Sequence, residues 1–332
     1  MIADAIKRVV AGRTLDREAM EGAMEAVLSG DASGAQIAAL AVALRMRGET
    51  AEELCAAATV LRRRALGVPQ VGQVLDTCGT GGDGVGTFNI STTAAIVVAA
   101  AGVPVAKHGN RAVSSRSGSA DVLEALGVTL QEDPAEVVRA LEHLGLGFFF
   151  APAFHGALRH AAPVRRELGL RTFFNLLGPL ANPARASHQL LGVYDPARVT
   201  QIAEVLHELG VEGAWVVHGE GGLDEVSPSG PTEVAILANG TITSRTVTPE
   251  DFGLEPVSLA SLEGGDAHAN ANITRAVLDG APGGPRAAVV LNAAAGLLAF
   301  GAERDLGDAA RAAEEAIDNG NAKALLQRWA AW

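Results

Sequence analysis

The sequence predicts an α/β protein in which a small N-terminal all-helical domain precedes a larger domain with a central mixed, mostly parallel sheet. The length of 332 residues suggests about two domains. The first 67 residues have apolar positions at helical spacing only, whereas strand and helix patterns alternate from residue 71 onward. Hydrophobic residues make up 48% of the chain but aromatic residues only 4%. Alanine, valine and leucine must therefore fill the core, as in buried parallel strands.

The N-terminal segment predicts helices with defined start signals. Ser33 can cap one helix, and Thr50 with Glu53 forms a capping box at the start of the next. We therefore expect a helical domain over residues 1–67 and an α/β domain over residues 71–332. The predicted N-terminal helices cover residues 17–28, 35–45 and 51–66.

Short apolar segments in the second part of the chain predict the strands of the sheet. They alternate with helical segments, which favours a parallel arrangement, and the last two form an antiparallel hairpin. The predicted strands cover residues 73–77, 103–106, 147–151, 188–193 and 214–217, with the hairpin at 233–247.

A glycine-rich segment after the first predicted strand is the most informative motif. Residues 76–84 (DTCGTGGDG) lead towards an alanine- and valine-rich helix, with five glycines between residues 79 and 86. Glycines let backbone N–H groups approach a ligand, and a helix start adds unpaired donors. Ser91 is the predicted N-cap, and the Ser91 and Thr92 hydroxyls with the Asn89 amide can bond phosphate oxygens. A structural turn needs fewer glycines, so we predict an anion-binding loop.

A second loop of similar character follows the next predicted strand. Residues 107–119 contain three basic residues, four serines and two glycines. The carboxyl ends of parallel strands meet at one edge of a sheet, where α/β proteins bind ligands. Neither loop has the spacing of a Walker motif or of a dinucleotide fingerprint. The sequence therefore predicts a phosphorylated small molecule, with more than one phosphate group, as the ligand.

Several motifs, in chain order, resemble those of the anthranilate phosphoribosyltransferases, which join anthranilate to phosphoribosyl pyrophosphate. The resemblance extends from Arg47-Gly-Glu-Thr50 to beyond Glu225 and so covers most of the chain. Gly156 and Leu158 stand where the family usually has proline and methionine. Both positions lie beside the acceptor pocket that the resemblance implies, so the departures concern fine substrate preference and not the reaction. The motifs are the glycine-rich segment, KHGN at 107–110 with Ser114 and Ser115, NLLGPLANP at 175–183 and GLDE at 222–225.

The resemblance implies a fold like that of the nucleoside phosphorylases and class II phosphoribosyltransferases. It implies that part of the segment near 155–182 packs on the N-terminal helices. It also implies a homodimer formed through the helical domain. The activity implied is a step of tryptophan biosynthesis.

The resemblance assigns binding roles to residues of both loops and beyond. It implies anthranilate contacts from Gly79, Asn110 and Arg165, the first of two adjacent arginines. It implies Mg²⁺, expected as two ions, held by Ser91, Asp224 and Glu225. The residues implied for phosphoribosyl pyrophosphate are Gly79, Gly82, Asp83, Thr87, Asn89, Ile90, Ser91, Thr92, Lys107, His108, Gly109, Asn110, Arg111, Ala112, Val113, Ser114, Ser115 and Ser119.

The implied reaction breaks the bond between C1 of the ribose and pyrophosphate while the amine attacks from the opposite face. The leaving group must be held and its charge neutralised, which backbone amides, hydroxyls and Mg²⁺ can share. Lys107 suits a phosphate as a point charge. His108 is a weak candidate for proton transfer, since the amine of anthranilate already carries a free lone pair. Positioning should therefore matter more than proton abstraction.

Two other functions stay open at the level of the sequence. A pyrimidine nucleoside phosphorylase shares the fold, but its loop normally has KHSTGG where this chain has DTCGTGG at 76–82. A catalytically silent relative that binds nucleic acid would be basic and would have lost the 107–115 loop or the acidic pair, Asp224 and Glu225. This chain keeps both and has a formal net charge of −12, which argues against a nucleic-acid partner.

The sequence also predicts that the protein has no membrane partner. The first ten residues carry charges throughout, unlike a signal peptide. The longest apolar run, at 287–300, contains Asn292 and is shorter than the ~20 residues that span a bilayer. Cys55 and Cys78 have no zinc-binding spacing and form no disulfide framework. We therefore expect a cytoplasmic protein.

Overall fold

A computed structural model describes residues 2–82, 84–112 and 116–332 of the chain. Its strands are β1 (Leu75–Gly79), β2 (Val105–Gly109), β3 (Leu146–Phe150), β4 (His188–Gly192), β5 (Gly213–Gly219), β6 (Thr232–Ala238) and β7 (Thr241–Val247). Its helices are α1 (Ile2–Val10), α2 (Arg17–Ser29), α3 (Gly34–Arg47), α4 (Ala51–Arg64), α5 (Ile90–Ala100), α6 (Ser119–Ala125), α7 (Pro134–Leu144), α8 (Ala151–Phe154), α9 (Ala162–Leu168), α10 (Phe173–Leu180), α11 (Val199–Glu208), α12 (Ala267–Leu278), α13 (Gly284–Phe300), α14 (Leu306–Asp318) and α15 (Asn321–Ala330).

The N-terminal helices begin where the sequence predicts. The Ser33 side chain accepts from the backbone of the first turn of α3, and Thr50 and Glu53 form a complete capping box on α4. Glu53 is fully buried and also accepts from Leu15 N at 2.8 Å. One carboxylate therefore caps α4 and holds the segment between α1 and α2 against it.

The seven strands form one mixed sheet in the order β3-β2-β1-β4-β5-β6-β7. Strands β1 to β5 pair in parallel, and β6 and β7 add an antiparallel hairpin. Asn239 and Gly240 join the hairpin with φ of 51° and 72°, as a tight turn between twisted strands requires. The predicted α/β architecture and the hairpin are confirmed.

The first two strands lie further along the chain than predicted. β1 pairs with β4 through Gly79, and β2 pairs with β3 through Gly109. Cys78, Lys107 and His108, which the sequence analysis placed in loops, are therefore strand residues. The prediction failed because polar residues at these positions are buried in the sheet, and an apolar pattern cannot detect them.

Helices cover both faces of the sheet. Helices α5 and α12–α15 pack together on one face, and α11 with the N-terminal helices lies on the other. The turn at Gly156–His160 contacts α2, α9 contacts α3, and α10 contacts α4. The core that includes α1–α4 thus continues into α10 and α11, so the domain boundary at residues 67–71 stays a prediction.

None of the helices in the described part of the chain has the length and apolarity needed to cross a membrane.

Candidate active site

The candidate site lies where the strand order reverses, between β1 and β4. Gly79 and Gly192 are paired in the sheet at this point, and Thr80 N donates to Gly192 O at 2.9 Å. A Cβ on Gly79 would overlap the Asp224 carboxylate, and a Cβ on Gly192 would overlap the Asp224 main chain. Only glycines at both strand ends let the segment after β5 reach the edge of β1. Such a reversal point opens a crevice in which parallel sheets bind ligands.

The glycine loop between β1 and α5 has the conformation that its composition requires. Gly81, Gly82, Gly84 and Gly86 all have positive φ, between 69° and 79°. A residue with a Cβ rarely adopts this conformation. Gly81 N donates to Asp224 Oδ2 at 2.6 Å, so the loop is attached to the acidic pair. Asp83, a predicted ligand residue, lies outside the described residues.

The start of α5 differs from the prediction. The helix begins at Ile90 after Asn89, so Ser91 is a first-turn residue and its assignment as N-cap is wrong. Asn89 makes no side-chain cap, because its Nδ2 donates to Ser117 O at 3.2 Å and its Oδ1 accepts from Asn270 at 2.9 Å. Asn89 therefore joins the glycine loop to the second loop.

The predicted residues around this helix start differ in exposure. Ile90 and Thr92 are buried, whereas Thr87 is half-buried and forms a bridge with Glu263. Ser91 N donates to Glu225 Oε1 at 3.2 Å. The helix start thus faces the acidic pair, with the Ser91 side chain on the same first turn.

Lys107 is a buried cation on β2 directly beside the glycine loop. Its Nζ donates to Thr77 O and lies 3.4 Å from Ser91 Oγ. Burial lowers the pKa of Lys107, and the nearby Asp76 carboxylate opposes that shift. Burial raises the pKa of Asp76 to about 6, against the opposing effects of Lys107 and Asn182. The Lys107 ammonium group therefore has a fixed position at the crevice, with the Asp76 carboxylate nearby.

The acidic pair has a donor set that suits Mg²⁺. Asp224 and Glu225 are 8% and 9% exposed, and Glu225 accepts from the backbone N–H of Ser91, the residue whose hydroxyl is the third predicted ligand. Magnesium prefers oxygen ligands and is usually held by one or two carboxylates, with substrate phosphates and waters completing the octahedron. The described residues contain no cluster of three or more acidic, histidine or cysteine side chains. A pair of carboxylates beside the glycine loop therefore has the chemistry to hold a metal that a phosphorylated ligand would share.

The second loop folds back on α6. Gly109 and Gly118 allow close approach, since a Cβ on Gly109 would overlap Ser119 Oγ and one on Gly118 would lie 2.5 Å from Asn110 O. Ser119 Oγ accepts from Asn110 N and donates to Asn110 O, each at 3.2 Å. The predicted ligand residue Ser119 therefore closes the base of the loop.

Arg111 points away from the glycine loop. Its guanidinium pairs with Asp121 at 3.2 Å and with Glu124 at 2.8 Å, and lies over the Phe150 ring. Ala112 N donates to Asp121 Oδ2 at 2.8 Å. The structure therefore does not bring the Arg111 side chain to the other predicted ligand residues. Val113, Ser114 and Ser115 lie outside the described residues.

Two buried histidines meet on the other side of β2. The His108 and His155 rings are in edge contact, with centroids 5.1 Å apart, and His108 Nδ1 lies 3.1 Å from Gly178 O. Burial lowers the pKa of His108 to about 3 and that of His155 to about 4, so both rings are neutral at pH 7. Among the described side chains, His108 Nε2 and both His155 ring nitrogens are buried without a hydrogen-bond partner. Buried polar atoms without partners mark a position for a polar ligand.

Arg165 also carries a polar side chain without a partner among the described residues. Its guanidinium lies 5.6 Å from the centroid of the Phe174 ring, and burial lowers its pKa. Within the described residues its side chain has no hydrogen bond or ion pair, whereas Arg166 is exposed. A largely buried guanidinium without an acidic partner is suited to an anionic ligand.

The sequence analysis missed several residues that the structure brings to this crevice. No role was predicted for His155, and Asp76 and Asn182 were named only as parts of the motifs at 76–84 and 175–183. Asn182 Nδ2 donates to Asp76 at 2.8 Å and to Ala106 O at 2.7 Å, which fixes β1 against β2. Arg171 stacks on Tyr194 and would lie 2.8 Å from a Cβ on Gly82. No local signal identifies these residues, since each partner is distant in sequence.

Family models match nearly the whole chain. The helical bundle domain of a glycosyl transferase family matches residues 3–65, and the α/β domain of that family matches residues 71–323. The chain is 54% identical to the anthranilate phosphoribosyltransferase of Myxococcus xanthus, over 97% of the chain and 96% of the relative. It is 56% identical to that of Thermomicrobium roseum, over 99% of the chain and 96% of the relative.

Solved structures of similar proteins have the same fold. The anthranilate phosphoribosyltransferase of Thermus thermophilus aligns with a TM-score of 0.92 at 46% identity, covering 99% of this chain and 98% of that one. The Saccharomyces cerevisiae enzyme in complex with phosphoribosyl pyrophosphate and Mg aligns with a TM-score of 0.89 at 29% identity, covering 99% and 96%.

Proposed function

The chain belongs to the anthranilate phosphoribosyltransferase family, and we propose that it performs the family's reaction with the residues that meet between β1 and β4. The enzyme transfers the phosphoribosyl group of phosphoribosyl pyrophosphate to the amine of anthranilate and releases pyrophosphate, a step of tryptophan biosynthesis. The observation that carries the assignment of the site is the contact between the glycine loop and Asp224, Gly81 N to Asp224 Oδ2 at 2.6 Å.

The glycine loop and Lys107 are proposed to bind the phosphates. Positive φ at Gly81 and Gly82 exposes the loop backbone, and the first turn of α5 adds N–H groups. Lys107 adds a cation whose Nζ is held in place by its hydrogen bond to Thr77 O. Negative charge develops on the leaving pyrophosphate, so donors already oriented at this position stabilise the transition state.

Asp224, Glu225 and the Ser91 hydroxyl are proposed to hold Mg²⁺, expected as two ions. The yeast relative with phosphoribosyl pyrophosphate and Mg supports use of this metal. A bound divalent ion neutralises phosphate charge and orients the leaving group. Asp224 also accepts from Gly81 N, so the same carboxylate orients the phosphate-binding loop.

Arg165 is proposed to bind the carboxylate of anthranilate, with Asn110 and Gly79 as further contacts. A guanidinium offers two parallel donors in the plane of a carboxylate. The yeast relative has been solved in complex with 4-fluoroanthranilate, which supports an acceptor site of this kind. Because Arg165 has no acidic partner within the described residues, binding would neutralise a largely buried charge.

Proton abstraction by His108 is not part of this proposal. A histidine with a pKa of about 3 is too weak a base to remove a proton at pH 7. Its unpartnered Nε2 can still accept a hydrogen bond from an amine, which orients the lone pair without removing a proton.

The other two functions are not favoured. Three relatives at more than 50% identity over nearly the full chain are named as anthranilate phosphoribosyltransferases. A net charge of −12 also disfavours a nucleic-acid surface.

A homodimer formed through the helical domain and a cytoplasmic location belong to the proposal. Val10 and Met46 are 72% and 84% exposed at the ends of α1 and α3, and such apolar side chains suit a contact between copies. A cytoplasmic location suits an enzyme of amino-acid biosynthesis. Sedimentation of the wild type and of Met46→Glu tests the dimer, which should dissociate in the variant.

The reaction is tested by the fluorescence of anthranilate. We expect the signal to fall only when phosphoribosyl pyrophosphate and Mg²⁺ are both present, and chelation should stop the loss. Loss of signal without the phosphorylated substrate, or retention of the protein on DNA with no loss of signal, would contradict the assignment.

A further inference from the structure

The second loop is held together by one carboxylate on α6. Ala112 N and Gly118 N, on opposite arms of the loop, both donate to Asp121 Oδ2, at 2.8 and 2.9 Å. Arg111 Nη1 donates to Asp121 Oδ1 at 3.2 Å. A carboxylate has enough lone-pair positions to accept all three hydrogen bonds. One side chain therefore connects both arms of a loop whose residues the family resemblance assigns mainly to the phosphorylated substrate.

Helix capping explains only one of these hydrogen bonds. Asp121 is the third residue of α6, and an acceptor there normally bonds the N-cap N–H, which Gly118 provides. The bond from Ala112 and the pairing with Arg111 have no role in capping. They belong to the arm that leaves β2, so Asp121 fixes the spacing between the two arms.

The electrostatics of the site favour the ionised form of this carboxylate. Burial by itself would raise the pKa of Asp121, but the N–H groups of Ala112 and Gly118 and the Arg111 guanidinium together lower it. Glu124 pairs with the same guanidinium, and among the described residues of the loop it accepts from no backbone N–H. Asp121 attaches the loop arms and also neutralises Arg111, whereas Glu124 neutralises Arg111. A comparison of the two acids therefore separates the two effects.

We propose that Asp121 is a positioning residue that holds the two described arms of the second loop, 111–112 and 116–118, at the spacing that binding of the phosphorylated substrate requires. It acts through the backbone N–H groups of Ala112 and Gly118 and does not touch the substrate. This inference rests on the proposed function. It predicts that loss of the Asp121 carboxylate weakens binding of phosphate groups more than binding of anthranilate, because Arg165 lies on a different element.

The test compares Asp121→Asn with Glu124→Gln as the matched control. Steady-state kinetics give the KM of each substrate and kcat, calorimetry gives the affinity for inorganic pyrophosphate with Mg²⁺, and thermal melting checks the fold. For Asp121→Asn we expect the KM of phosphoribosyl pyrophosphate to rise by about tenfold or more, as the loss of charge-assisted hydrogen bonds implies. The KM of anthranilate should stay within about twofold. Pyrophosphate binding should weaken in parallel, and Asp121→Ala should behave like Asp121→Asn or worse.

Three results would overturn the inference. A folded Asp121→Asn protein with an unchanged KM for phosphoribosyl pyrophosphate would show that the loop does not need this carboxylate. Equal effects of Asp121→Asn and Glu124→Gln would assign the role to Arg111 neutralisation. Equal increases in both KM values would indicate a general structural effect. A wild-type protein without phosphoribosyl pyrophosphate-dependent turnover would instead contradict the proposed function, and pyrophosphate affinity would still test Asp121.

Discussion

The two loops at the sheet edge are anchored in opposite ways. The glycine loop is held by Asp224, and the helix start behind it by Glu225; both are nearly buried acids more than 130 positions away in the sequence. The 110–118 loop is held by Ser119, Asp121 and Glu124, which follow it directly and are partly exposed. Long-range buried anchors make a loop part of the folded core, whereas local exposed anchors allow a loop to change shape at small cost. The described residues of the first loop are therefore anchored to the folded core, whereas those of the second depend on the helix that follows them.

The largest effect is expected from a change that breaks the long-range anchor. Gly79→Ala places a Cβ on the Asp224 carboxylate, so the acid must leave the glycine loop. We expect kcat/KM for phosphoribosyl pyrophosphate to fall by about a hundredfold or more, since the phosphate donors and the metal ligand shift together. Gly72→Ala is the control, because a Cβ there meets nothing within 4 Å. Normal substrate binding with only a lower melting temperature would show that this contact is purely structural.

The next effect concerns anthranilate, whose proposed carboxylate partner Arg165 lies on α9 and in neither loop. Arg165→Ala should raise the KM of anthranilate by about thirtyfold or more, since losing one side of a desolvated charge pair costs roughly 2–5 kcal/mol. The affinity for phosphoribosyl pyrophosphate should stay nearly intact. Arg166→Ala is the matched control, because its side chain is exposed. If the two variants behave alike in steady-state kinetics, the assignment of Arg165 is wrong.

A moderate effect is expected from the acid that faces α5. Glu225→Gln removes a charge but keeps an acceptor for Ser91 N, so the fold should persist. The Mg²⁺ concentration for half-maximal activity should rise by about tenfold, and maximal activity should fall. Glu212→Gln, at the opposite end of β5, serves as the control. An unchanged Mg²⁺ dependence in the folded variant would exclude Glu225 as a ligand.

The smallest effect concerns the pH dependence of the free energy of unfolding, through His155, whose ring contacts His108 on β2. Burial lowers the pKa of His155 to about 4, so the unfolded chain binds a proton near pH 6.5 that the folded protein does not. This contribution to stability is complete above pH 6.5 and is lost as pH falls towards 4. Between pH 6.5 and pH 5 the wild type should lose about 1 kcal/mol more of its free energy of unfolding than the His155→Gln variant.

Denaturant unfolding at several pH values measures this slope. The slope is informative even if the substitution lowers stability at every pH. The exposed His268, changed to Gln, should leave the slope unchanged. A variant at His155 with the wild-type slope would show that this ring is not held neutral in the folded protein.

Elements with local signals were predicted well from the sequence. The capping residues Ser33 and Thr50 begin α3 and α4, and the hairpin expected at 233–247 is present, with its turn at Asn239 and Gly240. Each depends on a few consecutive residues whose backbone preferences decide the conformation. The ends of β1 and β2 were predicted poorly, because polar residues there are buried by pairing with strands far along the chain.

The sequence by itself determined the fold class, the glycine-rich loop after β1 and, through resemblance, the family. The glycines and helix starts are sufficient for this because they act within one turn or loop. Only the tertiary structure decided that Asp224 lies against Gly79 and Gly81, that Arg111 turns towards α6, and that His108 meets His155. These contacts follow from the strand order, which reverses between β1 and β4 and brings together residues whose separation along the chain leaves no local pattern.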